Sequence, residues 1–141
     1  MSALLWFSFM WNSIAQAENP FRVEILPATT FMEQLGVIQV IFIVPEGHHL
    51  YVDMLSVQPE PSAEFAFEPA KYPMGKLKAD PASPEQMREI YPETTTVTIP
   101  LKAKSSGIHL AKIEVRYQGC KEGLCYMPKS EIIETSVIVN K

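Results

Sequence analysis

The sequence predicts an all-β protein in which two sheets pack face to face as a sandwich. Three observations carry this prediction: short apolar or alternating runs recur along the chain, Pro and Gly separate them, and no helical period exceeds one or two turns. The 141 residues, with 47% hydrophobic and 20% charged side chains, have the composition of one globular domain. We therefore expect a single core enclosed by about seven strands.

Residues 1–17 are predicted to be a secretory signal peptide. They carry no charged side chain and include an apolar run over residues 3–11, followed by Ala15 and Ala17 at the spacing of a cleavage site before Glu18. No Lys or Arg precedes the run, so an uncleaved anchor is an alternative. Because the run is far shorter than the roughly 20 apolar residues that span a bilayer, export with cleavage is favoured.

The exported region, residues 18–141, is predicted to form the domain, and its first half contains four predicted strands. These strands cover residues 21–25, 37–44, 49–57 and 64–67. The second is nearly all apolar and β-branched, as expected for a central strand of the sandwich. Pro and Gly immediately after it predict a turn at residues 45–47.

Residues 69–92 are predicted to form an ordered but irregular excursion. Five prolines fall in this stretch, and proline is rare inside sheet strands because it lacks the backbone N–H. Within it, residues 84–90 are predicted to form one or two helical turns with Ser83 as the N-cap.

The second half of the domain has a clearer strand pattern. Predicted strands cover residues 95–99, 108–117 and 131–139, with a turn at residues 105–107. His109 and Tyr117 lie on the same predicted face of the long middle strand, and His109 is interpreted as an ordinary strand residue.

The only two cysteines, Cys120 and Cys125, lie in a predicted hairpin between the last two of these strands. An exported chain with an even number of cysteines is expected to form a disulfide. A bridge that closes so short a ring stabilises the fold by roughly 2 kcal/mol, against about 4 kcal/mol for one that closes most of a domain. The sequence therefore favours a reversible redox pair, with a static bridge that fixes a surface turn as the alternative.

Two blocks of this sequence resemble the DsbD amino-terminal domain family. The first block consists of Tyr117, Gln118, Gly119 and Cys120, then Gly123, Leu124, Cys125 and Tyr126, and finally Pro128. The second block, Pro45–Tyr51, is similar to an acidic-Gly-aromatic-aromatic-Leu-Tyr segment of the family. The similarity runs from about Val23 to Val139. It implies that Tyr117, Gln118, Gly119 and Gly123 support the cysteine hairpin.

The resemblance implies an immunoglobulin-like periplasmic domain that exchanges thiols and disulfides without a cofactor. Such domains receive electrons from a membrane-embedded donor and reduce thioredoxin-like partners, including disulfide isomerases and cytochrome-maturation thioredoxins. By this resemblance Cys125 forms the disulfide with the partner and Cys120 resolves it. The chain is then a protein-disulfide reductase, and no stable oligomer is expected.

The resemblance also implies a cap loop that shields the sulfurs. The corresponding stretch here is residues 71–76, which lacks the family's acidic pair but contains Tyr72 and Met74 as candidates to cover the disulfide. Tyr51 and Tyr126 are candidates to line the approach to the sulfurs, although ordinary sandwich packing explains them equally well. The cysteine spacing is one residue shorter than is typical of the family.

Other functions fit the sequence less well. His48 and His49 stand where the family often has two tyrosines, and with the methionines they suggest copper. However, the methionines are scattered, and the preceding turn predicts that both histidines face solvent, so no metal site is predicted. The main alternative is an exported binding or adhesion sandwich with a structural disulfide. The net charge of −4, spread along the chain, gives no basic surface for nucleic acid.

Overall fold

The predicted apolar runs form strands, and the protein is all-β as the sequence predicts. The computed structural model describes residues 18–141, and the predicted signal peptide lies outside this range. The strands are β1 (Arg22–Ile25), β2 (Ala28–Phe31), β3 (Leu35–Ile43), β4 (His48–Tyr51), β5 (Ser56–Pro59), β6 (Phe65–Phe67), β7 (Lys76–Asp80), β8 (Ser83–Tyr91), β9 (Thr95–Ala103), β10 (Gly107–Tyr117), β11 (Gly119–Lys121), β12 (Leu124–Cys125) and β13 (Lys129–Asn140).

Two four-stranded sheets make the predicted sandwich. One has the strand order β1-β3-β9-β6 and the other has the order β2-β13-β10-β5. Alternate side chains of β3 and β9 point inward and meet those of β10 and β13. The core includes Ile38, Val40, Phe42, Val97, Ile99, Leu101, Ala111, Ile113, Val115 and Val137. Burying an aliphatic or Phe side chain contributes about 1.5–3 kcal/mol, so these strands supply most of the stability.

A third, five-stranded sheet was not predicted, and it has the order β12-β11-β4-β8-β7. Its strands β7 and β8 pair antiparallel, with Lys76 opposite Ile90. The prediction of helical turns at residues 84–90 is therefore wrong: pairing with β4 and β7 buries Ile90 and Tyr91 and outweighs the local N-cap signal of Ser83. Pro84 is accommodated because it lies at the start of β8.

Two of the points at which the chain passes between the sandwich and the third sheet lie next to each other. The predicted strand over residues 49–57 is interrupted by a 3₁₀ turn at Val52–Met54, so β4 joins the third sheet and β5 joins the sandwich. A second crossing occurs at Gln118, between β10 and β11. The Tyr51 N–H donates to the Gln118 carbonyl at 3.4 Å, which links the two crossings.

Tyr117 ends β10 inside the core, immediately before the cysteine hairpin. Its ring packs edge-on against Phe42, with centroids 5.7 Å apart. Its hydroxyl is buried and has no hydrogen-bond partner among the described residues. Burial, together with the charge of Glu131, raises the pKa of Tyr117 from its ordinary value of about 10 to about 12.

We expect Tyr117→Phe to keep or increase stability at pH 8, by up to about 1 kcal/mol, because it removes an unsatisfied buried hydroxyl. In the wild type, unfolded Tyr117 ionises near pH 10 while the folded side chain stays neutral to about pH 12. Stability should therefore fall between these two pH values, and it should fall less in the variant. Urea unfolding of both proteins at pH 8 and at alkaline pH measures these free energies of unfolding. The contributions of the other tyrosines cancel in the difference, because both proteins contain them. A clear loss of stability in the variant at pH 8 would contradict the expectation.

Candidate functional site

The two cysteines form a disulfide in the hairpin of β11 and β12. Cys120 and Cys125 are directly opposite each other, with an S–S distance of 2.03 Å and Cα atoms 4.0 Å apart. Glu122 and Gly123 make the two-residue turn, and Glu122 takes a left-handed backbone conformation with φ of 55°. The pairing of β11 with β12 thus brings the two sulfurs together within one short hairpin.

The two cysteines differ sharply in exposure. Cys120 is 0% exposed, because it lies inside the third sheet and packs with Tyr51 and Ile90. Cys125 is exposed on the outermost strand of that sheet. A thiol from another protein can therefore reach Cys125 but not Cys120 in this conformation.

A row of side chains crosses the third sheet next to the disulfide. Cys120 on β11 is paired with Cys125 on one side and with His49 of β4 on the other, so these three residues share a face. Tyr51, two residues after His49, lies on the same face and is paired with Ile90 of β8. The face that carries the disulfide is therefore built from four strands.

Arg88 of β8 fixes the position of Tyr51. Its guanidinium carbon lies 3.5 Å from the centroid of the Tyr51 ring, a cation–π contact, and its Nη2 lies 2.7 Å from Oδ1 of Asp53. Arg88 thus packs over the face of the Tyr51 ring, and Asp53 forms an ion pair with its guanidinium.

A cavity of about 290 Å³ lies beside the exposed cysteine. It is lined by Tyr51, Asp80, Pro81, Ala82, Arg88, Gln118, Gly123 and Cys125. The turn between β7 and β8 therefore forms one wall of the approach to the disulfide. This turn was not among the predicted site residues, because the family resemblance places the cap at residues 71–76.

Tyr72 and Met74 do not line this cavity. The Tyr72 hydroxyl accepts a hydrogen bond from the Val57 N–H at 2.9 Å, and Met74 is 94% exposed. Their proposed covering of the sulfurs stays a prediction. Tyr51, by contrast, lines the cavity together with Cys125, and its role in the approach to the sulfurs likewise stays a prediction.

Tyr126 packs on the opposite face of the hairpin from the sulfurs, against Phe21 and His48. Its ring stacks on His48 with centroids 6.2 Å apart and meets Phe21 edge-on at 6.0 Å. Its N–H donates to the Gly119 carbonyl at 2.9 Å, and its own carbonyl accepts from Gln118 Nε2 at 3.2 Å. Gln118, Gly119 and Tyr126 are therefore part of one hydrogen-bonded support under the hairpin.

Phe21 presses against the backbone of the hairpin at Gly119. A Cβ placed on Gly119 would lie 2.0 Å from the Phe21 ring, far inside van der Waals contact. Phe21 is itself buried and held by His48 and Tyr126, so it has little freedom to move. Only glycine fits here.

His49 is buried, 4% exposed, which contradicts the expectation that both histidines face solvent. Burial lowers the pKa of His49, and the charges of Lys78, Arg88 and His48 lower it further. The imidazole is therefore neutral at neutral pH, and its Nε2 has no hydrogen-bond partner among the described residues. The period-two alternation of β4, which puts His49 on the face of Tyr51, was the sequence signal for this residue. No comparable signal identified Arg88.

Within residues 18–141, no group of three or more His, Cys, Asp or Glu side chains is arranged to hold a metal ion. The same part of the chain contains no helix with the length and apolar character that a membrane crossing requires.

Comparison with known proteins relates this chain to one family. The sequence profile described as "Thiol:disulfide interchange protein DsbD, N-terminal" matches residues 15–137. The Thiol:disulfide interchange protein DsbD of Pasteurella multocida (strain Pm70) is 26% identical over 132 residues. That alignment covers 92% of this chain but only 22% of the relative, so the chain spans about a fifth of that protein's length.

Two solved structures from Neisseria meningitidis share the fold. The DsbD N-terminal domain in the reduced form is 24% identical, with a TM-score of 0.54, over 70% of this chain and 75% of that chain. A complex between the DsbD N-terminal and PilB N-terminal domains gives 21% identity and a TM-score of 0.60, over 87% and 88% of the two chains. The predicted immunoglobulin-like sandwich is thereby confirmed.

We expect Gly119→Ala to destabilise the protein by about 1–3 kcal/mol, because the added methyl group overpacks the site against Phe21. Gly123→Ala is the matched control, since a Cβ at Gly123 meets no atom within 4 Å. Urea unfolding of the oxidised proteins measures both changes. Equal stability of the two variants would show that Phe21 does not hold the hairpin.

Proposed function

This chain belongs to the DsbD N-terminal domain family, and on that premise we propose that it is a periplasmic protein-disulfide reductase. It relays reducing equivalents from a membrane-embedded donor to oxidised thioredoxin-like proteins through Cys120 and Cys125. The observation that carries the proposal is the division of the disulfide into one exposed and one buried cysteine.

This division matches the two tasks of thiol–disulfide exchange. The Cys125 thiolate is placed to attack the partner's disulfide, forming a mixed disulfide and releasing one partner thiol. Cys120 then attacks Cys125, which closes the intramolecular disulfide and releases the second partner thiol. Two electrons pass to the partner, and the donor restores the two thiols.

The position of the disulfide in the fold supports reversible use. It joins strands β11 and β12, which are already paired, and it lies in the third sheet rather than between the two sheets of the sandwich. The ring is short, so the bond contributes only about 2 kcal/mol through chain entropy. The sandwich core does not depend on it for its packing.

The surface around Cys125 suits a protein partner. Leu124 and Met127 flank the exposed cysteine and are themselves largely exposed. Apolar side chains of this kind, next to a reactive atom, supply area for transient docking. A related DsbD N-terminal domain forms a complex with a PilB N-terminal domain, which supports the proposal that this chain docks to a partner domain.

Cys120→Ala should trap a mixed disulfide with an oxidised thioredoxin-like domain from the periplasm, because Cys125 can attack but no thiol remains to release the partner. Cys125→Ala is the matched control and should trap little, since Cys120 is buried. Non-reducing electrophoresis and mass spectrometry of the adduct measure the result. Trapping by neither variant, or mainly by Cys125→Ala, would refute the proposed roles.

We also expect the disulfide to equilibrate with glutathione or dithiothreitol buffers while the domain stays folded. Reduction should lower the free energy of unfolding by about 2 kcal/mol or less. Titration of free thiols, with urea unfolding of the oxidised and reduced forms, tests this. A bond that resists reduction, or a domain that unfolds when it breaks, would instead support a structural disulfide in a binding sandwich.

A further inference from the structure

In the described part of the third sheet, His49 is the residue paired directly with Cys120 on the side away from Cys125. Its imidazole is a titratable group. We propose that its imidazole accepts the proton of Cys120 when Cys120 resolves the mixed disulfide. The proposal rests on the proposed function and assigns a residue to its second step.

The strand register places His49 beside Cys120. Residues directly opposite each other in antiparallel strands have Cβ atoms about 4.5–5.5 Å apart, with side chains on the same face. Cys120 lies between Cys125 and His49 in the same row, so the imidazole approaches it from the side away from the disulfide. Attack on Cys125 and loss of the proton to His49 therefore use opposite sides of the Cys120 side chain.

Burial makes a protein base necessary at this position. Cys120 is fully buried and His49 nearly so, which removes water as a ready acceptor. Burial also disfavours the thiolate, the form that attacks a disulfide. A neighbouring neutral imidazole offsets this, because proton transfer creates the thiolate together with an adjacent positive charge.

The structure leaves His49 free for this role. Its Nε2 is buried without a hydrogen-bond partner, which is unusual for a buried polar atom. The ring is held edge-on by Tyr51, with centroids 5.1 Å apart. A Cys120 thiol, present only after reduction, would supply a donor that the disulfide form lacks.

The charges around His49 keep it unprotonated until a thiolate forms. Lys78 on β7, Arg88 on β8 and His48 on its own strand all lower its pKa, in addition to burial. The carboxylate of Asp53 is paired with Arg88 rather than with His49. With its pKa lowered from 6.5, His49 is the neutral acceptor at neutral pH and loses this capacity only as the pH falls.

In the step itself, the Cys120 thiol gives its proton to His49 and its sulfur attacks Cys125. The new bond is Cys120–Cys125, and the bond between Cys125 and the partner sulfur breaks. The bonding electron pair leaves on the partner sulfur as a thiolate. His49 then returns the proton to that thiolate or to solvent, so no further reductant or oxidant is required.

The test uses 5,5′-dithiobis(2-nitrobenzoate) as an artificial partner of the reduced protein. Attack by Cys125 releases a first nitrothiobenzoate, and resolution by Cys120 releases a second, so stopped-flow absorbance separates the two steps. We expect His49→Gln to slow the second phase about 100-fold, at the low end of general-base effects, and to leave the first nearly unchanged. His48→Gln is the matched control, because His48 lies on the opposite face against Phe21, and its second phase should stay far faster than that of His49→Gln.

The pH profile separates a proton acceptor from a packing residue. In His49→Gln the rate of the second phase should increase about tenfold per pH unit below the thiol pKa, as for a thiol without a neighbouring base. In the wild type the rate of the second phase should depend much less on pH near neutrality, and it should fall only as His49 becomes protonated. A second phase with the same rate and pH slope in both proteins would overturn the proposal.

The outcomes distinguish this inference from the proposed function. If the wild type releases no second nitrothiobenzoate, the cysteine pair does not resolve, and the relay fails together with the role of His49. If it does and His49→Gln is unaffected, the relay stands and the role of His49 is wrong. Should the variant not fold, NMR titration of wild-type His49 decides: its pKa should be higher in the reduced than in the oxidised protein, and equal values would refute the proposal.

Discussion

The pairing of β11 with β4 is the contact on which the site depends. Strand β4 leads into the sandwich strand β5, and β11 follows the sandwich strand β10. The hydrogen bond between Tyr51 and Gln118 lies where the chain changes sheet in both cases. Once these crossings are fixed, the two-residue periodicity of strands decides which side chains face each other. A shift of one residue in either strand would turn Cys120 or His49 to the opposite face, so the same register sets both burial and chemistry.

The two faces of the third sheet contribute differently to the site. One face carries the disulfide, His49 and Tyr51, whereas the other packs Phe21 against the backbone of Gly119. The absence of a side chain at Gly119 lets an aromatic ring support the hairpin from beneath. On this face the hairpin is therefore held by packing that does not involve the sulfurs, which supports the proposal that their bond opens while the scaffold stays folded.

The sequence was sufficient for the sandwich and for the cysteine pair, but not for the third sheet. Apolar alternation in the long strands signals their burial directly. Each of the two cysteines has only the other as a possible disulfide partner within this sequence. The strand β8 has no such pattern over residues 83–88, and its conformation is set by long-range pairing with β4 and β7. Arg88 and the turn at residues 80–82 therefore reach the site through tertiary contacts that local propensity does not encode.

The wall beside Cys125 is joined to the rest of the sheet by few residue pairs. Strand β7 pairs only with β8 among the described strands, and β8 is joined to β4 by two residue pairs, at Leu50 and Tyr51. The turn at residues 80–82 projects beyond these pairs and contributes no side chain to the buried core. Elements with few buried contacts open at low free-energy cost, whereas the row containing Cys120 is anchored by the core beneath it. Displacement of the turn at residues 80–82 can thus change access to Cys125 while the pairing of Cys120 with His49 stays in place.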